Sequence, residues 1–314
     1  MPWSDRWLDR KAHQRTLAAI APSTRKNHHS HWTKFSAFLR KRGLSPATAE
    51  RKHTLRFLEY LVHSKLHPNT IKNYLYSLRS VRKRLNLPLT NFYHHTITDW
   101  LKGLDRTVSK PARAKPYIKR KHLRKILLAA GNHKEPRLIK AFVSLAFHSM
   151  LRLSNLVVKH RKRVDIKRNL LRKHVTIKKH KIVISLSWSK TLQELTNSTV
   201  ICVPATHDQY CPVRLLSNYV NNTVFRKNDP LFKFKNHTFV SRSAIRSILY
   251  KVHTSCNLFT NNLAHSYRRG GAIMYYRKGV PLEEIKRLGT WKSDAIFVYI
   301  KQATHSTRAF RNAR

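Results

Sequence analysis

An excess of positive charge constrains this chain more than any other feature of its sequence. The 314 residues include 64 Lys and Arg but only 14 Asp and Glu, which gives a formal net charge of +50. The basic residues are spread along the whole sequence rather than gathered in a tail. Such a surface repels itself and favours a polyanion beside it. We therefore expect a nucleic-acid partner held through many phosphate contacts. Charge alone leaves open an inert ribosomal or packaging protein.

The contents of apolar residues and of cysteine limit the classes of protein to which this chain can belong. Hydrophobic residues make up 41% of the chain, enough for packed cores, and the length predicts about two domains. The cysteines, Cys202, Cys211 and Cys256, form no CxxC pair and no zinc-binding spacing with the histidines. No apolar run approaches the roughly 18 residues of a membrane span. We expect no metal, no membrane partner and a reducing compartment.

The distribution of acids argues against one kind of phosphodiester chemistry. Metal-dependent nucleases hold divalent ions with several carboxylates. Here the acids are scattered: Asp165 and Glu194 stand alone, and Glu283 and Glu284 are the only adjacent pair. We therefore expect no cofactor, and expect any chemistry on DNA strands to use cationic side chains.

Hydrophobic periodicity predicts a mainly α fold with a small antiparallel β-sheet (α+β). Helical spacing of apolar residues repeats through residues 1–102, and the first long helix is predicted from Ser23 to Gly43. A polar, basic segment with two prolines predicts a linker at 103–117. Residues 118–314 return to helix, interrupted by the β-rich segments "HVTIKKHKIVISLSW" and "STVICVPA".

The stretch "HSYRRGG" has the spacing of a small polar site on a helix. His265 and Arg268 lie three residues apart and would share one helical face, with Arg269 turned away. The pair could handle a phosphate group. A basic helix with aromatic core residues is the alternative.

Five segments in order resemble the tyrosine recombinases, or phage-integrase family, over roughly residues 22–301. They are "FHSMLRLSNLV", "WSKTLQ", "HSYRR", "LGTWKSDA" and the following "IFVYI". The resemblance implies a helical core-binding domain that clamps DNA, followed by an integrase-like catalytic domain. It also implies the site residues: Arg152, Lys190, His265, Arg268, Trp291 and the nucleophile Tyr299.

The chemistry that the resemblance implies needs no metal or small molecule. Tyr299 would attack a DNA phosphate and form a 3′-phosphotyrosyl link, while Arg152 and Arg268 neutralise its oxygens. Lys190 would protonate the departing 5′ oxygen. Implied partners are double-stranded DNA and three further copies, as a homo-tetramer on two duplexes. The expected location is nuclear if the host is eukaryotic and cytoplasmic otherwise.

The particular residues within these motifs resemble those in the recombinases of DIRS and Crypton mobile elements. Two departures stand out from the wider family pattern. Asn155 occupies a position where many members carry an acid, and Met150 and Leu151 stand where a glycine usually precedes the first arginine. Neither departure removes a proposed catalytic group.

Alternatives remain at the level of residues and of function. Neighbouring lysines compete with Lys190, and other tyrosines compete with Tyr299. A type IB topoisomerase or a domesticated, non-catalytic DNA-binding protein are the rival functions. The competing residues are Lys178, Lys179 and Lys181, and Tyr267, Tyr275 and Tyr276.

Overall fold

The computed structural model describes residues 4–108, 115–188, 199–291 and 293–300. The chain divides into two compact units, Met1–Ala112 and Arg113–Arg314. Within the described residues, no helix has both the length and the apolar character that crossing a bilayer requires.

The first unit is a bundle of helices around an apolar core. Residues 35–104 contribute its buried side chains, among them Phe35, Phe57 and Leu78, which are fully enclosed. The first helix, in contrast, buries none of its side chains. In chain order the helices are α1 (Asp5–Ala18), α2 (Pro22–Arg40), α3 (Arg51–His63), α4 (Pro68–Arg84), α5 (Thr90–Tyr93) and α6 (His95–Thr107).

The predicted start of the long helix was wrong by a small margin. Helix α2 has Ala21 at its N-cap and Pro22 in its first turn, rather than a cap at Ser23. Proline suits this position because the first turn of a helix leaves its N–H groups unpaired in any case. The helix ends at Arg40, and Gly43 then adopts a φ of +68°, a left-handed conformation that glycine tolerates.

Helix α6 also extends beyond the predicted domain end at residue 102. It continues to Thr107, so Gly103 and the residues after it are helical where the linker was expected. Leu104 explains the extension, because its side chain is 4% exposed and belongs to the core of the bundle. Residues 109–114, the middle of the predicted linker, lie outside the described residues.

The second unit packs helices around the buried helix α8. Helix α8 has ten buried residues and therefore lacks a polar face. The helices are α7 (Arg120–Ala129), α8 (Pro136–His148), α9 (Leu153–Leu156), α10 (Pro212–Asn221), α11 (Arg242–Ser255), α12 (Leu263–Arg277), α13 (Leu282–Gly289) and α14 (residues 295–300).

A small antiparallel sheet accompanies these helices. Its strands are β1 (Val175–Lys178), β2 (Lys181–Leu186) and β3 (Thr199–Pro204), in the order β1-β2-β3. Residues Ile182, Ile184 and Leu186 of β2 alternate inward and are buried. The predicted fold class, mainly helical with a small antiparallel sheet, is confirmed.

Two consecutive glycines bring α12 against its neighbours. A Cβ atom on Gly270 would overlap the carbonyl oxygen of Ile118, and one on Gly271 would overlap that of Phe147 in α8. The backbone of α12 can therefore lie against α8 only because these residues lack side chains. This contact fixes the helix that carries His265 and Arg268.

We expect Gly271→Ala to destabilise the second unit strongly. The added methyl group meets backbone atoms, which cannot rotate away, so the free energy of unfolding should fall by about 2–3 kcal/mol or more. Gly103→Ala is the matched control, because Gly103 is helical and has nothing within 4 Å of a Cβ. That change should stabilise its helix by up to about 1 kcal/mol. Urea unfolding of both variants checks the pair, and equal midpoints would contradict the packing described.

Candidate active site

A left-handed turn between α8 and α9 presents Arg152. After α8 ends, Met150 adopts a φ of +53° and is fully buried. Arg152 then occupies the N-cap of α9 and is half-buried. Non-glycine residues adopt this backbone at a cost of about 1–3 kcal/mol. The turn explains why a glycine is usual here in the family pattern, and Met150 keeps the same conformation with a packed side chain.

Arg268 lies at the centre of the site. Its side chain is 1% exposed, and its Nη1 donates to the carbonyl oxygen of Met150 at 2.5 Å. Its guanidinium carbon lies 3.8 Å from the centre of the Trp291 ring system, a cation–π distance. Burial, and then the nearby charge of Arg152, lowers the pKa of Arg268 to about 9. The site therefore concentrates positive charge that would gain from a bound anion.

The end of α13 holds Trp291 in place. Thr290 adopts a φ of +56°. The backbone N–H of Trp291 donates to the Lys286 carbonyl at 2.9 Å, and this hydrogen bond caps the C-terminal end of α13. Gly289 leaves room for the indole, since a Cβ there would overlap the ring. Trp291 is 8% exposed and belongs to the hydrophobic core. It is thus both a core residue and the surface on which Arg268 stacks.

Tyr299 returns to this cluster on α14. Its ring is half-buried, and its centre lies 5.9 Å from that of Trp291, with the planes at 71°. Tyr299 also lies close enough to Arg152 and Arg268 to oppose the lowering of their pKa values. The structure therefore brings the predicted nucleophile together with both predicted phosphate-binding arginines.

The competing tyrosines occupy different surroundings. The Tyr267 hydroxyl lies 2.8 Å from Nε2 of His253, and the side chain is 3% exposed. Tyr275 is also buried, and burial raises its pKa to about 12. Tyr276 is exposed near the end of α12. A tyrosine sealed in the core cannot reach a DNA phosphate without unfolding its surroundings.

His265 lies at the exposed side of the cluster, near the start of α12. Partial enclosure of its ring lowers its pKa, and the charges of Arg268, Arg269 and Arg152 lower it further. Both effects favour the neutral imidazole. A neutral ring nitrogen can accept a proton or donate one hydrogen bond to a phosphate oxygen.

Lys190 lies outside the described residues, but Trp188, which precedes it by two residues, is anchored beside Arg152. Asn155 donates from Nδ2 to the Trp188 carbonyl at 3.0 Å. An acid at position 155 could not donate this hydrogen bond. The departure from the family pattern therefore has a local role, because it ties the end of β2 to the segment that carries Arg152.

The competing lysines lie at the opposite end of the sheet. Lys178 pairs with Lys181 where β1 turns into β2, whereas Trp188 follows the other end of β2. Trp188 follows Lys181 by seven positions of roughly extended chain, which is about 23 Å at the usual rise of a strand. Lys190 comes two residues after Trp188 in the sequence, whereas the three competing lysines lie at the other end of β2 from the Asn155–Trp188 hydrogen bond.

Unpaired donors on three arginines mark the site as anion-binding. Among the described residues, three guanidinium nitrogens are buried and have no hydrogen-bond partner: Nη1 of Arg152, Nη2 of Arg268 and Nε of Arg269. Among the ion pairs between described residues, none involves these arginines. Buried charged donors without partners are costly, so an arrangement of this kind indicates a ligand with acceptor oxygens.

Sequence reasoning missed Arg269 as a residue of the site. Arg269 is 3% exposed, and its guanidinium carbon lies 5.0 Å from the centre of the Tyr299 ring. Helical spacing could not reveal this, because the contact is with chain segments distant in sequence. The signal that could have suggested burial is the Gly270–Gly271 pair, which indicates close packing on that side of α12.

Comparison with known proteins supports the architecture. The sequence pattern of the phage integrase N-terminal SAM-like domain matches residues 7–87. The chain is structurally similar to the XerH site-specific recombinase bound to palindromic difH substrate in a post-cleavage complex, with a TM-score of 0.61 and 17% identity. That alignment covers 89% of this chain and 77% of the other. The chain has an integrase-like fold.

Two further solved structures support the same conclusion about the fold. A lambda integrase (75-356) dimer bound to a COC′ core site aligns with a TM-score of 0.55 and 15% identity, over 95% of both chains. The Tn1549 transposon integrase (aa 82-397), in complex with circular intermediate DNA, aligns with a TM-score of 0.54 and 11% identity, over 81% of both chains. No curated protein matches the chain at the level of sequence.

Proposed function

We propose that this chain is a tyrosine-type site-specific DNA recombinase that cleaves and rejoins DNA strands through a 3′-phosphotyrosyl intermediate. The observation that carries the proposal is the set of unpaired, buried guanidinium donors grouped around Tyr299. A DNA phosphate supplies the acceptor oxygens and the negative charge that the donors of Arg152 and Arg268 lack. The net charge of +50 supplies the attraction for the rest of the duplex.

Each residue of the proposed site has a role in this chemistry. The Tyr299 oxygen forms a bond to phosphorus, and the bond from phosphorus to the 5′ oxygen breaks. Arg152 and Arg268 neutralise the non-bridging oxygens as charge develops on them. Lys190 gives a proton to the departing 5′ oxygen, and neutral His265 accepts the phenol proton or binds a phosphate oxygen. Trp291 holds Arg268 in position by stacking.

The wider biological setting is part of the same proposal. The particular residues within the motifs favour a role in the integration or excision of a mobile element of the DIRS or Crypton kind. Four copies would act on two duplexes, since strand exchange needs a 5′ hydroxyl from a second duplex to attack the phosphotyrosyl link. In a eukaryotic host the enzyme would act in the nucleus. Joining conserves the energy of the broken bond, so no nucleotide cofactor is needed.

Covalent capture tests this proposal. Incubation with a pool of randomised duplexes that carry nicks should trap protein on DNA, because the short strand beyond the cut diffuses away and rejoining fails. We expect adducts that survive denaturant and form equally in excess EDTA, since the stabilising charges are on side chains. Loss of adduct under chelation, restored by magnesium, would contradict the proposed chemistry. Sequencing the trapped DNA would identify the target, and recombinant products would separate a recombinase from a topoisomerase.

A further inference from the structure

Two adjacent arginines on α12 make different contacts. Arg268 donates to the Met150 carbonyl and stacks on Trp291. Arg269 instead donates from Nη1 to the Pro116 carbonyl at 2.6 Å and places its guanidinium 5.0 Å from the centre of the Tyr299 ring. The second arginine is therefore directed at the proposed nucleophile rather than at the Arg268–Trp291 stack.

The carbonyl that holds Arg269 is itself fixed. The Ile118 N–H donates to the Ser266 carbonyl at 3.1 Å, and Gly270 leaves the room that the Ile118 carbonyl occupies. The segment from residue 115 to 118 thus lies along α12. Because Pro116 belongs to this segment, its carbonyl restricts the Arg269 side chain to one orientation.

The charge on Arg269 has no acidic partner among the described residues. The side chain is 3% exposed, so water screens it little, and its Nε has no hydrogen-bond partner within the part of the chain that the structure describes. A guanidinium over an aromatic face attracts the ring, and the attraction increases when the cation is desolvated. The hydrogen bond to the Pro116 carbonyl therefore fixes the Arg269 guanidinium in place, and the Tyr299 ring packs against it.

We propose that Arg269 is a positioning residue that holds Tyr299 in line for attack on the phosphate. The inference rests on the proposed function and adds to it a residue outside the family motif. Tyr299 must approach phosphorus opposite the departing 5′ oxygen, and a displacement of about 1 Å can slow such a step about a hundredfold. Arg269 acts on the ring of the tyrosine. Arg152 and Arg268 act on the phosphate, although the side chain of Arg268 also interacts with that of Tyr299.

Replacement of Arg269 by methionine tests this role, because methionine keeps an unbranched side chain and removes the charge. We expect single-turnover cleavage at saturating DNA to slow about 10–100-fold, with DNA affinity within about twofold of wild type. Arg269→Lys should recover most of the rate, since lysine offers a cation and a donor to the Pro116 carbonyl. Arg277→Met, at the exposed end of α12, is the matched control and should cleave at the wild-type rate.

A neutral substrate separates action on tyrosine from action on phosphate. In a methylphosphonate, a methyl group replaces one non-bridging oxygen at the cleavage position, so one negative charge is absent. Arg268→Met should lose much less rate on this substrate than on normal DNA, because less charge needs neutralising. Arg269→Met should lose the same factor on both substrates.

The outcomes distinguish the inference from the proposed function on which it rests. If wild type forms no adduct on either substrate, the proposed function fails. If wild type forms it, two results overturn the role of Arg269: an unchanged rate in Arg269→Met, or recovery of that variant on methylphosphonate DNA. A rate in Arg269→Lys as low as in Arg269→Met, with a lowered unfolding midpoint in both, would assign the residue to the fold alone.

Discussion

Tyr299→Phe is expected to abolish the covalent protein–DNA complex while leaving folding and DNA binding intact. The substitution removes only the hydroxyl oxygen, which is the atom proposed to attack phosphorus. The ring remains, and the ring makes the contacts with Trp291 and Arg269. Denaturing gels of the trapped adduct and anisotropy measurements of DNA affinity check the two halves of this expectation.

Tyr276→Phe is the control for this prediction. Tyr276 is 41% exposed on α12 and could reach DNA, yet no described contact joins it to the arginines of the site. Its variant should form adduct at the wild-type level. An adduct that persists in Tyr299→Phe and disappears in Tyr276→Phe would move the nucleophile to Tyr276.

Lys190→Ala should slow cleavage by about 10²–10⁴-fold, the range typical of a lost general acid. An alkoxide is a poor leaving group, so the 5′ oxygen needs a proton as the bond to phosphorus breaks. Replacing that bridging oxygen by sulfur gives a thiolate, which leaves without a donated proton near neutral pH. The sulfur substrate should therefore restore most of the lost rate, measured by single-turnover cleavage.

Two sets of variants control the sulfur experiment. Arg152→Ala and Arg268→Ala should stay slow on sulfur DNA, because their defect concerns the non-bridging oxygens. Alanine variants of the lysines in the β1–β2 hairpin should keep near-normal rates on ordinary DNA, since that turn lies at the opposite end of β2 from Trp188. Sulfur rescue of a hairpin variant, without rescue of Lys190→Ala, would move the general acid to that hairpin.

Local patterns in the sequence predicted much of the architecture. Helical spacing of apolar residues predicted most of the helices of both units, and the two β-rich segments contain the three strands. Errors occurred at element ends, at Ser23 and at Gly103. There the buried Leu104 outweighed the tendency of glycine to end a helix, and Pro22 began a helix that was expected to start at a serine cap.

The sequence by itself determined the charge, the fold class and the order of the motifs, because these depend on composition and on spacing within single elements. Only the tertiary structure showed that Arg269 faces Tyr299, that Met150 adopts a left-handed backbone, and that Asn155 anchors the strand leading toward Lys190. Each of these three features involves segments far apart in the chain or depends on how tightly α12 lies against α8. Periodicity describes which way a side chain leaves its own helix, but burial and unpaired donors arise only when several elements pack together.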